Sequence, residues 1–187
     1  MKFFGGTPMK KNPLIASLLV FGLLAAGGTA LTLLPQIAQE SAPAYAKGEV
    51  SWRVYDKGLK EAKKTGKPVF VQFFATWCGY CRKMDKETFT NSAVQKELSK
   101  FVPVRVTESS ENKVAHEGQL VTEKELTSIH GVQGFPTLVF MESNGKVIGK
   151  IPGYLGPKEF SGMLKFIETG SYKTMDYEKF SKTVLKS

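Results

Sequence analysis

The sequence predicts an α/β domain built on a mixed central sheet flanked by helices, with a separate apolar segment ahead of it. Three observations lead there. After residue 50, short apolar runs alternate with helical patterns, the order that produces parallel strand–helix–strand units. Near the end, "TLVFM" and "KVIGKI" flank "ESNG", whose Asn144-Gly145 pair is a hairpin turn signal, so the sheet closes on antiparallel strands. Apolar residues make up 42% of the chain and aromatics 11%, enough for a packed core, which excludes a chain disordered throughout.

The N-terminal segment is set apart by its charge pattern. Lys2, Lys10 and Lys11 precede the uncharged run "LIASLLVFGLLAAGGTALTLL" at 14–34, and no charged residue occurs until Glu40. The small-x-small sequence Ala44-Tyr45-Ala46 then stands just before Lys47. A basic start, an apolar run and a small-residue site are the three parts of an export signal, and no polar face repeats at helical spacing as a core helix requires. The expectation is cleavage after Ala46. The alternative is retention as a membrane anchor through residues 14–34, a run long enough to span a bilayer. Either way the lysines stay inside and the rest of the chain faces outward, into the periplasm or onto the outer face of the membrane. The expected division is therefore 1–46 as signal or anchor, 47–170 as the folded domain and 171–187 as a tail.

Within the domain, "WRVYDKGLKEAKK" at 52–64 places Tyr55, Leu59 and Ala62 on one helical face, with Gly66 as its stop. "PVFVQFFA" at 68–75 fits a strand buried on both faces. "CRKMDKETF" reads as a helix, and Ser92 with Gln95 reads as a capping box for the next one. "FVPVRVT" at 101–107 is the second strand, followed by a polar loop to about Val121. Thr122 and Glu125 form another capping box, opening a helix that stops at Gly131. After the hairpin, Pro157 begins the last long helix, to about Glu168, and the tail forms a short helix with Tyr177, Phe180 and Val184 on one side.

"FFATWCGYCRKM" at 73–84 holds both cysteines of the chain, Cys78 and Cys81. A disulfide across so short a loop restricts the unfolded chain very little, so the pair is a poor staple. A strand running into a helix puts Cys78 at the turn, where unpaired backbone N–H groups and the helix dipole stabilise a thiolate. Cys78 is the expected attacking sulfur. Cys81, on the same helical side and more buried, can attack a mixed disulfide on Cys78 and release the substrate. Gly79 lets the backbone turn and lets another chain approach. Trp77 is read as a docking surface as well as core, and Tyr80 as an exposed residue that contacts substrate or tunes the pair.

Other chemistry is poorly supported. The only histidines are His116, read as solvated in a polar loop, and His130, read as facing the carbonyls at a helix end. Two histidines do not complete a metal site, so no metal and no cofactor is expected. The net charge is +9, and removing residues 1–46 takes away Lys2, Lys10, Lys11 and Glu40 to leave about +7. The basic residues are scattered among acids with no basic–aromatic tract, so nucleic acid is not an expected partner.

"FFATWCGYC" resembles the active-site segment of thioredoxins, and "GVQGFPTLVF" resembles their second signature, a proline in cis before a central strand. The resemblance covers roughly residues 52–168 and implies a thioredoxin fold. It implies that Pro136 packs against the cysteine pair, that Phe135 offers backbone hydrogen bonds to substrate, and that Gly153 keeps the substrate groove open. The stretch "GKPVFVQFFATWCGYCRKMDKETF" is similar to exported thioredoxin-like domains allied to bacterial periplasmic disulfide reduction. One position departs from the family. Where thioredoxins keep a buried acid six residues before the first cysteine, this chain has Gln72, and the position of that acid's usual lysine partner in the next strand falls near Pro103 or Arg105. The proton acceptor for Cys81 is unassigned, with Glu108 a distant candidate. An aspartate placed at 72 is expected to titrate above its ordinary range.

Together these readings give an exported thiol–disulfide oxidoreductase that reduces protein disulfides through Cys78 and Cys81. A membrane electron-donor protein is implied, since a reductase outside the cytoplasm needs electrons delivered to it. A disulfide oxidase or isomerase, and a non-catalytic binding or chaperone-like module, stay open as alternatives.

Overall fold

A computed structural model describes residues 49–185. The basic start, the apolar run at 14–34 and the Ala46 site lie outside the described residues. Among the described residues, no helix is long and apolar enough to cross a membrane.

Helix α1 runs Tyr55–Thr65, and Gly66 ends it in the left-handed conformation with φ 73°. It begins later than the pattern at 52–64 suggests, because Arg53 is bound to the sheet instead. The Arg53 N–H donates to Pro103 O at 2.9 Å and its carbonyl accepts from Arg105 N at 3.2 Å, an isolated parallel bridge. Strand β1, Val69–Phe74, is buried along nearly its whole length. Helix α2, Gly79–Lys83, carries the cysteines' connecting residues and runs directly into a π turn, Met84–Thr88. The expected continuous helix therefore widens by one residue, which turns Met84, Thr88 and Phe89 together into the interior. Thr88 Oγ1 there donates to Leu155 O at 2.8 Å.

Helix α3 spans Ser92–Leu98, and its cap is Asn91 rather than Ser92. Asn91 Oδ1 accepts from the N–H groups of Ala93 and Val94, while the Gln95 side chain turns away to donate to Phe89 O. Strand β2, Val102–Thr107, follows. The expected polar loop contains a two-stranded hairpin, β3 (Lys113–His116) and β4 (Gln119–Thr122), with Glu117 and Gly118 both at positive φ in its turn. Helix α4, Glu123–Ile129, opens with the expected capping box of Thr122 and Glu125. Strands β5 (Thr137–Met141) and β6 (Val147–Pro152) form the closing hairpin, and α5 spans Pro157–Glu168. The tail adds a 3₁₀ turn, Ser171–Lys173, and helix α6, Tyr177–Thr183. Phe180 of α6 is buried against Phe166, whereas Val184 is exposed.

The main sheet has the order β2-β1-β5-β6, with β1 and β2 parallel and the other neighbours antiparallel. Alternation along the strands feeds two cores. Phe70, Leu138 and Phe140 pack with Met84, Phe89, Leu98, Phe160 and Leu164 on the face covered by α2, α3 and α5. Val69, Val71, Phe73, Val102, Val104 and Val106 pack with Tyr55, Ala62 and Leu126 on the opposite face. Buried aromatic side chains of this size each contribute about 2–3 kcal/mol.

The two histidines meet in that second layer instead of facing solvent or carbonyls. Tyr55 Oη lies 3.2 Å from His116 Nδ1 and 3.3 Å from His130 Nε2. Lys150 Nζ takes the helix-end carbonyls of His130 and Gly131, which frees the imidazole to turn inward onto Phe73. Burial, then the His116 ring and Lys150, push His130 down to about 4, with Glu117 opposing. Burial pushes Tyr55 up to about 12, with Glu117 adding to it. The depressed histidine has a definite sign. Above about pH 6.5 both folded and unfolded His130 are neutral, and below it only the unfolded chain takes up the proton until about pH 4. Urea unfolding should therefore lose about 1–2 kcal/mol across that window. His130→Asn should flatten that part of the profile, and parallel profiles for parent and variant would contradict the placement of the ring.

Candidate functional site

The site forms where β1 ends. Ala75 is buried, Thr76 and Trp77 turn outward, and Cys78 N–H donates to Ala75 O at 3.1 Å to close the turn. Arg82 braces the turn from the helix by donating to Thr76 O at 2.7 Å. Cys78 is the N-cap of α2 with extended backbone, and its sulfur accepts the Cys81 N–H at 3.0 Å. A donor in that position stabilises negative charge on Sγ when the bond is reduced. In the structure Cys78 and Cys81 are joined as a disulfide, their Cα atoms 5.3 Å apart.

The two sulfurs differ in access. Cys81 is fully buried, while Cys78 keeps 4% of its surface, flanked by Trp77 and Tyr80, which are 66% and 63% exposed. Phe135 packs against the cysteine cluster and meets Trp77 edge-on at 5.7 Å between centroids. The Phe135–Pro136 peptide bond is cis. Gly153, at φ 97°, donates its N–H to Pro136 O at 2.8 Å, so β6 supports the Pro136 loop at a backbone conformation that favours glycine. Tyr80 lies 6.0 Å from Tyr154 on the other flank, and Lys83 stands over the Tyr154 ring. Gly79 is not needed for the turn. Its φ is not positive, and a Cβ there would meet nothing within 4 Å, so its contribution is open space beside the sulfurs.

On the sheet face below the helix, Gln72 is fully buried and pairs in register with Arg105. Arg105 Nε donates to Gln72 Oε1 at 2.9 Å, and its guanidinium also binds the Asp85 carboxylate. Arg105 is therefore the partner of Gln72, and Pro103 is not. Glu108 Oε2 is buried with no hydrogen-bond partner, and the Glu108 N–H donates to Phe74 O at the end of β1. Among the described residues, no three His, Cys, Asp or Glu side chains converge in a way that could hold a metal ion.

A family profile described as the thioredoxin-like domain matches residues 55–168. The chain belongs to the thioredoxin-like family. This thioredoxin-like domain is similar to a thiol:disulfide interchange protein of Vibrio cholerae, 30% identical over 84% of the chain and 25% of that protein. It is also similar to a protein disulfide-isomerase of Ricinus communis, 31% identical over 55% of the chain and 18% of that protein. The chain spans about a quarter or less of the length of these curated relatives. Among solved structures, a thioredoxin from Thermus thermophilus matches with a TM-score of 0.51 and 27% identity, covering 62% of this chain and 85% of its own. A DsbH oxidoreductase matches with a TM-score of 0.51 and 25% identity, covering 74% and 94%. The mixed sheet flanked by helices is thus the thioredoxin fold.

The thioredoxin-like fold brings Cys78, Cys81, Trp77, Phe135, Pro136 and Gly153 to one end of the sheet, with Tyr80 on the flank. Sequence reasoning missed Asp85, Tyr154 and the choice of Arg105. Asp85 stands four residues after Cys81, a helical neighbour that the spacing alone could have flagged. The place of Arg105 also changes what an aspartate at 72 does. Such a carboxylate would stand against a guanidinium, which favours its charged form, so the expected upward shift is reversed. In Gln72→Asp the new carboxyl should titrate below about 4, read by NMR of its side chain. An apparent value near 7 would contradict the Arg105 contact.

Proposed function

We propose that this chain is an exported thiol–disulfide oxidoreductase that reduces protein disulfides. The observation that carries the reading is the asymmetric pair: a disulfide in which Cys78, the N-cap of the redox helix, keeps 4% of its surface beside two exposed aromatics while Cys81 is fully buried. The reduced Cys78 thiolate attacks a substrate disulfide, forming a mixed disulfide and expelling one substrate thiolate. Cys81 then loses its proton and attacks Cys78 Sγ. The second substrate thiolate leaves, and the Cys78–Cys81 bond holds the two electrons' worth of oxidation. Trp77, Gly79, Tyr80, Phe135, Pro136 and Gly153 line the surface on which an extended substrate segment lies. A membrane dithiol protein returns the pair to its reduced form. The relatives named thiol:disulfide interchange protein support thiol–disulfide exchange at this pair.

Relatives named protein disulfide-isomerase support a second reading, in which Cys78 attacks and is displaced by another substrate thiol before Cys81 resolves it. Export rests on the basic start, the apolar run and Ala46, and its test is fractionation of the native host. The chain should be found outside the cytoplasm, beginning at Lys47. Full-length chain in the soluble cytoplasmic fraction would overturn export. For the sulfurs, Cys81→Ser should accumulate mixed disulfides with substrate proteins, seen as thiol-sensitive adducts on non-reducing gels, and Cys78→Ser should give almost none. Equal trapping by both variants would contradict the assignment.

A further inference from the structure

Arg105 is a cation anchored on the sheet face below the redox helix. Its guanidinium is stacked between two rings, with Cζ 4.1 Å from the Trp52 centroid and 4.7 Å from that of Phe74. Nε is spent on Gln72 and one terminal nitrogen on Asp85, so the group is held from Trp52 ahead of α1, from β1 and β2 and from the π turn at once. Phe74 packs on its other side against the cluster of Ala75, Cys78 and Cys81. Alternation puts Gln72 and Phe74 on the same face of β1 as Phe70, which packs on Met84 of the π turn. Asp85 follows Met84 in the π turn, four residues beyond Cys81. The cation thus bridges the sheet and the π turn that continues the helix of Cys81.

Thioredoxins keep a buried acid where this chain has Gln72. Here the ion pair at that level is Arg105 and Asp85, Glu108 keeps a buried carboxylate oxygen beside the end of β1, and the residue at the strand position is a neutral amide whose nitrogen is buried with no hydrogen-bond partner. We propose that Arg105 is the fixed charge that sets the acidity of the Cys78–Cys81 dithiol and its equilibrium with the disulfide, with Asp85 as the counter-charge that limits it. Arg105 is a positioning residue in this scheme, acting through space on sulfurs it does not touch. The scheme rests on the dithiol chemistry proposed above. Reduction of the pair takes up two electrons and two protons, and any sulfur kept as thiolate gives its proton back. A nearby cation favours that thiolate, lowers the thiol pKa and so favours the reduced form. Burial lowers Arg105 itself from its ordinary value while Asp85 opposes that shift, as expected of a desolvated cation. A guanidinium nevertheless stays charged throughout the working pH range.

The two partners must then act with opposite signs. Arg105→Met removes the cation and leaves Asp85 unopposed, so thiol pKa values rise and the disulfide gains. Asp85→Asn keeps an oxygen for the guanidinium but leaves the cation uncompensated, so thiol pKa values fall and the dithiol gains. Equilibration with glutathione, read by thiol alkylation, should move the equilibrium constant on the order of three- to tenfold in opposite directions, tenfold being about 30 mV. Arg105→Lys keeps the charge and should stay within about twofold of the parent even where it costs stability. Shifts of both charge variants in one direction, or neither moving beyond twofold, would overturn the role of Arg105. Structural damage alone would lower the melting temperature without giving opposite signs. If the parent chain forms no reversible couple with glutathione at all, it is the dithiol chemistry that fails.

Discussion

The helix that carries Cys81 is capped by the sulfur of Cys78, and that one contact couples the fold to its chemistry. The N–H of Cys81 needs an acceptor because it lies in the first turn of a helix. A serine or asparagine would supply one in an ordinary helix, and here the acceptor is the Cys78 sulfur of the disulfide. The geometry is imposed from below. β1 is buried between two cores, so its end cannot shift without exposing Phe70, Phe73 or Val71. The turn Ala75–Cys78 is closed by its own hydrogen bond and braced by Arg82, which leaves the capping sulfur at the rim and the capped residue inside.

Around that contact, the surface and the floor divide the work by polarity. Above the pair the residues are aromatic and open to solvent: Trp77 on Phe135 to one side, Tyr80 and Tyr154 to the other. Rings of this kind present apolar faces to a docked chain without burying charge. Below the pair the chain uses Gln72, Arg105 and Asp85, an arrangement in which the fork of one guanidinium satisfies both an amide and a carboxylate. The Trp52 and Phe74 rings both lie within cation–π reach of that guanidinium. Trp52 can do this because the segment before α1 is bound along β2, which is also why α1 starts at Tyr55.

What the sequence made legible follows from which signals are local. The buried strand at 68–75, the Thr122–Glu125 capping box, the Asn144-Gly145 turn and the start of α5 at Pro157 depend on neighbours a few residues away. The cysteine pair and the Phe135–Pro136 stretch are short patterns of the same kind. The hairpin β3–β4 was hidden because only Val114 of its strands is buried, so polar composition outweighed a weak alternation. The π turn was hidden because its cause is tertiary, the pull of Met84 and Thr88 toward β5, α5 and Leu155. Likewise Arg105 meets Asp85 across 20 residues and His116 meets His130 through Tyr55, pairings that no window along the chain contains.

The central claim is that the Cys78–Cys81 pair passes electrons to protein disulfides, with Cys78 as the sulfur that meets the substrate. Insulin turbidity with dithiothreitol as electron source reads this directly, because the reduced B chain precipitates. The domain from Lys47 onward should accelerate precipitation in proportion to its concentration, and Cys78→Ser should fall to the rate of dithiothreitol alone. Acceleration that survives Cys78→Ser, or none from the parent domain with its cysteines shown to be reduced, would contradict the account.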